Sequence, residues 1–183
     1  MLITLLQLEK EPLLFDESVA PGVIDFSDEV EQKGTMTAEG RADLIEEHHG
    51  PKQIVSDIRL RAEYEGRFLV PCARCLEPVE HAIRGDFDLI FRPLGVEGGG
   101  SEHSITDAET EIGYYQKDSL LLEDVLREQV LLSLPAKTLC REDCKGLCPH
   151  CGRNLNSESC TCVRAPADPR WSALQDLSSR LKS

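Results

Sequence analysis

Eight cysteines in 183 residues carry the chemical pattern of this chain. The densest run is Cys148-Pro149-His150-Cys151-Gly152, followed by Cys160-Thr161-Cys162. Each short pair lets two sulfurs converge on one ion, and Gly152 permits the tight backbone of a zinc knuckle. Asn154, Asn156 and Ser157 supply turn formers between the pairs. Together Cys148, Cys151, Cys160 and Cys162 offer four thiolates for a tetrahedral site, which suits zinc; iron takes the same ligands. His150 reads as a spacer, because the cysteines on either side already supply the pair.

A second set is more dispersed. Cys72-Ala73-Arg74-Cys75 falls where a knuckle between two strands would lie, and Cys140-Arg141-Glu142-Asp143-Cys144 follows a helical segment. Cys72, Cys75, Cys140 and Cys144 make a second zinc site if the fold joins sheet and post-helix segment, and loop closure over that distance is not prohibitive. Two alternatives stay open: four free or redox-active thiols, or a different partition in which Cys144 joins Cys148 and Cys151. A catalytic thiol in C-x-x-C needs a following helix, and Pro78 opposes one after Cys75. Four cysteines close a zinc ion to substrate. The chain has no Ser/His/Asp arrangement, phosphate-binding loop or dinucleotide fingerprint. His48-His49, beside Gly50-Pro51, reads as a solvated turn. The expectation is a protein that is not an enzyme and has no small-molecule substrate.

Charge narrows the partner. Asp and Glu number 33 against 20 Lys and Arg, a formal net charge of -13. Such a surface repels phosphate and suits a basic partner, although acidity also serves solubility. No stretch approaches the roughly 20 apolar residues of a membrane span, and no basic leader precedes the apolar start Met1-Leu2-Ile3-Thr4-Leu5-Leu6. The expected setting is the cytoplasm, where thiols stay reduced and serve as metal ligands rather than disulfides.

The elements that must position these cysteines follow from periodicity. Met36, Ala38, Gly40, Ala42 and Leu44 alternate with polar residues, as do Ile58, Leu60, Ala62 and Tyr64. Period 2 predicts a sheet with one wet face. Glu65-Gly66 predicts a bulged hairpin turn leading to a strand over 67–71. Val79, Ile83, Phe87, Leu89 and Phe91 predict a further strand, with Gly85 at a bulge or bend. Residues 95–107, with Gly98-Gly99-Gly100-Ser101, predict a flexible loop. Leu122, Val125, Leu126, Gln129 and Val130 recur at helical spacing up to Pro135, with Glu123 and Asp124 near the start. Asp168 and Pro169 would open a last helix carrying Trp171, Leu174, Leu177 and Leu181. The expected class is α+β: an antiparallel β-sheet or partly open barrel packed by one or two helices, with a C-terminal zinc-knuckle or ribbon segment. Its parts would be a β-rich domain with closing helix over 1–139, a cysteine-rich segment over 140–165 and a C-terminal helix over 166–183.

Several of these motifs occur together in one family. Cys72-Ala73-Arg74-Cys75-Leu76-Glu77-Pro78, the stretch from Arg127-Glu128-Gln129 to Leu134-Pro135, and Cys144-Lys145-Gly146-Leu147-Cys148-Pro149-His150-Cys151-Gly152 resemble the YceD family. Asn154-Leu155-Asn156 and Asp168-Pro169-Arg170 extend the resemblance, which covers about 67–177. It implies a part in the accumulation of large-subunit (23S) ribosomal RNA, and a gene often placed beside that of a zinc-ribbon ribosomal protein. The expected partner is therefore a basic large-subunit ribosomal protein or a pre-large-subunit particle. Lys137, Arg141, Lys145, Arg153, Arg164 and Arg170 gather near the cysteines, so a local basic patch reading RNA stays open beside simple balancing of thiolate charge. The competing class is a zinc-dependent, redox-controlled holdase chaperone.

Overall fold

The computed structural model describes residues 1–48, 54–95 and 112–162. The period-2 segments form three long strands, β4 (Met36–His48), β5 (Ile54–Pro71) and β6 (Pro78–Pro93), paired antiparallel in sequence order. β2 (Leu13–Val19) pairs with the outer edge of β4, and β7 (Ile112–Tyr115) runs parallel to β6 at the other edge. β3 (Glu31–Gln32) takes the edge of β5 beyond the end of β4. The result is an open, mixed six-stranded sheet rather than a barrel. β1 (Leu2–Thr4) and β8 (Ser119–Leu121) form a separate two-stranded sheet. The one-turn helix α1 (Leu5–Leu8) starts at a capping box between Thr4 and Gln7.

α2 (Leu122–Ser133) buries Leu122, Val125, Leu126 and Val130 in the common core and carries Glu123 and Asp124 in its first turn. It ends where Leu134 turns extended (φ −70°, ψ 144°), the conformation that Pro135 imposes on its predecessor. Tyr64 ties the sheet to this helix: its hydroxyl donates to Gln129 O at 3.0 Å and lies 2.7 Å from Ser133 Oγ. The α+β class, with a largely antiparallel sheet and few helices, is therefore observed. Among the described residues, no helix is long and apolar enough to cross a membrane.

Two expectations need correction. Glu65-Gly66 is not a turn; β5 runs straight through it, with Gly66 opposite Ile83. Leu60, Ala62, Tyr64 and Phe68 are all buried, an unbroken period that places them on one face without a bulge. A Cβ on Gly66 would stand 3.1 Å from Met36 Cγ and from Phe68 Cε2, so glycine here makes room for side chains rather than bending the chain. Gly85 is not a bulge either, because the β5–β6 register is continuous from Ile58 opposite Phe91 to Pro71 opposite Pro78. Gly85 faces Tyr64, and a Cβ there would lie 2.7 Å from the Tyr64 hydroxyl. His48 closes β4; His49, residues 96–107 of the expected loop and the final helix lie outside the described residues.

The outer face of the sheet is polar and mostly paired. Asp43 bridges Arg41 and Arg61, Arg59 pairs with Asp88, and the buried Asp57 takes two hydrogen bonds from Arg92, of 2.7 and 3.1 Å. One row departs from this. The registers set Asp16 opposite Glu39, Glu39 opposite Glu63 and Glu63 opposite Asp86, so four exposed carboxylates line up across four strands. Like charges directly opposite one another destabilise a sheet. Arg84 gives partial relief, 3.7 Å from Glu63, with both side chains largely exposed.

Candidate metal centre

The β5–β6 hairpin turns at residues 72–77, framed by Pro71 and Pro78 as the last pair of the ladder. Cys72 N–H donates to Glu77 O at 2.9 Å, and Leu76 N–H donates to Cys72 O at 3.0 Å. The second knuckle repeats both bonds at the same spacing: Cys148 N–H to Arg153 O at 2.8 Å and Gly152 N–H to Cys148 O at 2.9 Å. Both turns demand a left-handed residue after the second cysteine. Gly152 meets the demand at φ 72°, whereas Leu76 adopts φ 63° with its side chain exposed. A side chain in that conformation costs about 1–2 kcal/mol.

The segment after α2 packs onto the first knuckle. Ala73 N–H donates to Thr138 O at 2.9 Å, and buried Thr138 places Oγ1 3.2 Å from His81 Nε2. Arg74 then gathers the chain beyond: its guanidinium donates to Glu142 O and Cys144 O at 3.0 and 2.8 Å, and its carbonyl accepts from Leu147 N–H at 2.9 Å. This brings Cys72, Cys75, Cys140 and Cys144 together, all four sulfurs within 4.8 Å of one another. Cys72 and Cys144 lie 3.9 Å apart, Cys75 and Cys140 3.6 Å. Metal–sulfur bonds of ~2.3 Å in a tetrahedron require sulfurs about 3.8 Å apart, so the donor set fits one such ion.

Cys148, Cys151, Cys160 and Cys162 gather under the same limit, with Cys148 and Cys160 3.4 Å apart. Cys144 thus stands with Cys72, Cys75 and Cys140, and not with Cys148 and Cys151. Three sulfurs of the first set are buried, whereas Cys151 and Cys162 of the second are exposed. Asn156 joins the two sets. Its Nδ2 donates to Cys144 Sγ at 3.3 Å, and its Oδ1 accepts from Lys145 N–H and the Arg141 guanidinium, both at 2.8 Å.

Electrostatics within each set favours a shared cation. The Arg74 backbone N–H, followed by that of Cys140, pulls the Cys72 thiol down to about 6. The His150 N–H does the same for Cys148, also to about 6. Desolvation and then the neighbouring sulfurs push Cys140 up to about 12, and the Cys151 sulfur pushes Cys162 up to about 12. Sulfurs this close cannot all ionise without positive charge between them. A bound dication would stabilise the four thiolates and release their protons.

The sequence reading missed two residues here. Asn156 reads only as a turn former, and no one-dimensional signal points it at a sulfur of the other set. Leu76 had a signal: Cys-x-x-Cys is followed by glycine in one knuckle and leucine in the other. The basic residues near the cysteines are partly engaged, Arg141 with Asp143 at 3.4 Å and Arg153 with Glu158 at 3.8 Å. Arg164 and Arg170 lie outside the described residues.

Comparison with known proteins gives a consistent result. A family model described as "Large ribosomal RNA subunit accumulation protein YceD" matches residues 60–178. An uncharacterized protein of Mycobacterium bovis is 36% identical over 106 residues, 58% of this chain and 48% of the relative. One of Mycobacterium leprae is 30% identical over 107 residues, 58% of this chain and 46% of the relative. A maize protein named "Large ribosomal RNA subunit accumulation protein YCED homolog 1, chloroplastic" is 28% identical over 114 residues, 50% of this chain and 39% of the relative. The matched stretch thus spans about half or less of each of these relatives. No solved structure matches the chain.

Proposed function

The chain belongs to the YceD family of large ribosomal RNA subunit accumulation proteins, and on that premise we propose that it is a non-enzymatic, zinc-binding factor supporting accumulation of large-subunit ribosomal RNA. It acts by holding a basic protein of the large subunit, free or in a precursor particle, rather than by reading RNA. The observation that carries the choice of partner is the aligned row of Asp16, Glu39, Glu63 and Asp86. Strand spacing sets these carboxylates about 4.8 Å apart, a repulsive array that lysine and arginine side chains neutralise and that phosphate cannot approach. The net charge of -13 agrees. The zinc ions have a structural part: they fasten the segment after α2 to the hairpin tip.

Two measurements test this reading. A strain lacking the protein should hold less large-subunit than small-subunit ribosomal RNA; an unchanged ratio across growth temperatures rejects the ribosomal role. The tagged protein should retain its partner after nuclease treatment and lose it as salt rises, since exposed pairs are screened over ~8 Å at physiological ionic strength. Loss on nuclease treatment would assign the contact to RNA. The exposure of Cys151 and Cys162 favours one other reading, a redox-controlled holdase. Under that reading mild peroxide releases zinc and raises capture of unfolded clients; zinc release without client capture rejects it.

A further inference from the structure

Beside the first knuckle, where residues 21–32 cross the end of β5, lies an open groove of about 950 Å³. Leu69, Pro71, Leu76 and Pro78 give its lining apolar surface. The lining is also acidic: Asp25, Asp28, Glu29 and Glu31 belong to it, and none of these carboxylates meets a basic side chain among the described residues. Elsewhere on this protein Asp43, Glu80 and Asp88 each find an arginine or lysine. Apolar surface beside unpaired carboxylates is wrong for a nucleic acid, and the groove is too wide for an ion.

Two further features at the groove lack an explanation within the chain. Leu76 is 64% exposed yet held at φ 63°, in a turn whose twin uses glycine. Neither the knuckle's hydrogen bonds nor the sulfur positions need a leucine there. Gln32, also lining the groove, is only 6% exposed. Its Nε2 donates to Val19 O and Gly34 O at 2.8 and 2.9 Å, but its Oε1 has no hydrogen-bond partner. A buried acceptor without a donor is costly, and this one lies in the wall of the groove, closed to solvent.

We propose that this groove docks a lysine- or arginine-rich protein segment that also carries apolar side chains: the cations meet Asp25, Asp28, Glu29 and Glu31, and an apolar side chain covers Leu76. The proposal rests on the protein-partner reading above and adds to the carboxylate row a separate surface for a short apolar and basic segment of the partner.

The test uses the full zinc-loaded chain and fluorescent synthetic peptides, one alternating lysine with leucine, one alternating lysine with serine and one alternating glutamate with leucine. The lysine–leucine peptide should bind most tightly and the glutamate–leucine peptide not at all. Leu76→Gly should weaken the lysine–leucine peptide about tenfold or more, as expected for losing a buried leucine contact, without lowering Tm or zinc content. Neutralising Asp28, Glu29 and Glu31 together should weaken it and flatten its salt dependence, whereas neutralising Asp16, Glu39 and Glu63 should change it little. The reverse ranking, with Leu76→Gly harmless, puts the partner on the sheet face: the groove proposal is overturned while the protein-partner reading stands. Failure of the full chain to bind the lysine–leucine peptide also overturns it. Peptide binding as expected, together with nuclease-sensitive capture from cells, supports the groove and rejects the protein-partner reading of the ribosomal role.

Discussion

Asn156 Nδ2 donates a hydrogen bond to Cys144 Sγ across 3.3 Å, from the turn of one cysteine set to a sulfur of the other. The same side chain accepts from the Lys145 backbone and from Arg141, so its amide cannot turn away without losing both. A hydrogen bond to a metal-bound thiolate fixes its direction and moderates its charge, and such partners are typically worth 10–100-fold in metal affinity. Asn156→Ala should therefore speed loss of metal from the set containing Cys144, although residue 156 lies between the cysteines of the other set. Asn156→Asp keeps the two acceptor contacts but sets a carboxylate against the sulfur, and should be worse. Chelator-driven zinc release, resolved into two phases, checks this; slowing or speeding only the phase that Cys151→Ser removes would contradict the coupling.

The packing of Tyr64 over Gly85 makes a separate claim about stability. A Cβ at 85 would stand 2.7 and 2.8 Å from the Tyr64 hydroxyl oxygen and Cζ, in a ring already fastened to α2. Gly85→Ala forces that ring to shift and should cost about 1–3 kcal/mol in urea unfolding. The double change Gly85→Ala with Tyr64→Phe should recover part of the loss, because the ring is then free to move. Additive losses would show that the contact is not the cause.

These two glycines also mark where the sequence is legible and where it is not. Period 2 identifies β4, β5 and β6, and helical spacing closed by Pro135 identifies α2, because each signal is local. Gly66 and Gly85 misled the reading, since a glycine that makes room for Met36, Phe68 or Tyr64 looks in one dimension like a glycine that bends the chain. The pairing of Leu2 with Leu121 and the parallel docking of β7 on β6 leave no local trace. For the cysteines, spacing marks the pairs but not their partners. It takes the contacts of Arg74 with Glu142, Cys144 and Leu147 to gather Cys140 and Cys144 at the hairpin tip.

The carboxylate row predicts a stabilising substitution. Glu39 faces Asp16 on one side and Glu63 on the other. Glu39→Gln removes both repulsions and should raise stability by about 0.2–0.5 kcal/mol at low salt. The gain should shrink as salt screens the wild-type row. Under the proposed function the same substitution weakens capture of the basic partner wherever the row itself makes contact. Destabilisation by Glu39→Gln at low salt would mean that the row is relieved by an interaction other than solvent.

The two cysteine sets should fail differently, because they tie down different amounts of structure. The first set joins the β5–β6 tip to the chain after α2, and through the Arg74 carbonyl it also anchors Leu147 at the entrance of the second knuckle. The second set closes the loop of residues 148–162, which touches the first set through Asn156. Cys75→Ser should then lower Tm, raise amide exchange at residues 72–77 and 138–147, and loosen the second set as well. Cys151→Ser should leave β5, β6 and α2 protected, keep one zinc per chain, held less tightly once Asn156 loosens, and raise exchange chiefly around residues 148–162. Mild peroxide should follow the same order in the wild-type protein, since Cys151 and Cys162 are exposed while Cys72, Cys75 and Cys144 are buried. One zinc should leave early and the other only as the hairpin tip opens. Simultaneous loss of both ions, or early exchange at Thr138 in Cys151→Ser, would mean that the second set supports the first well beyond the single Asn156 contact.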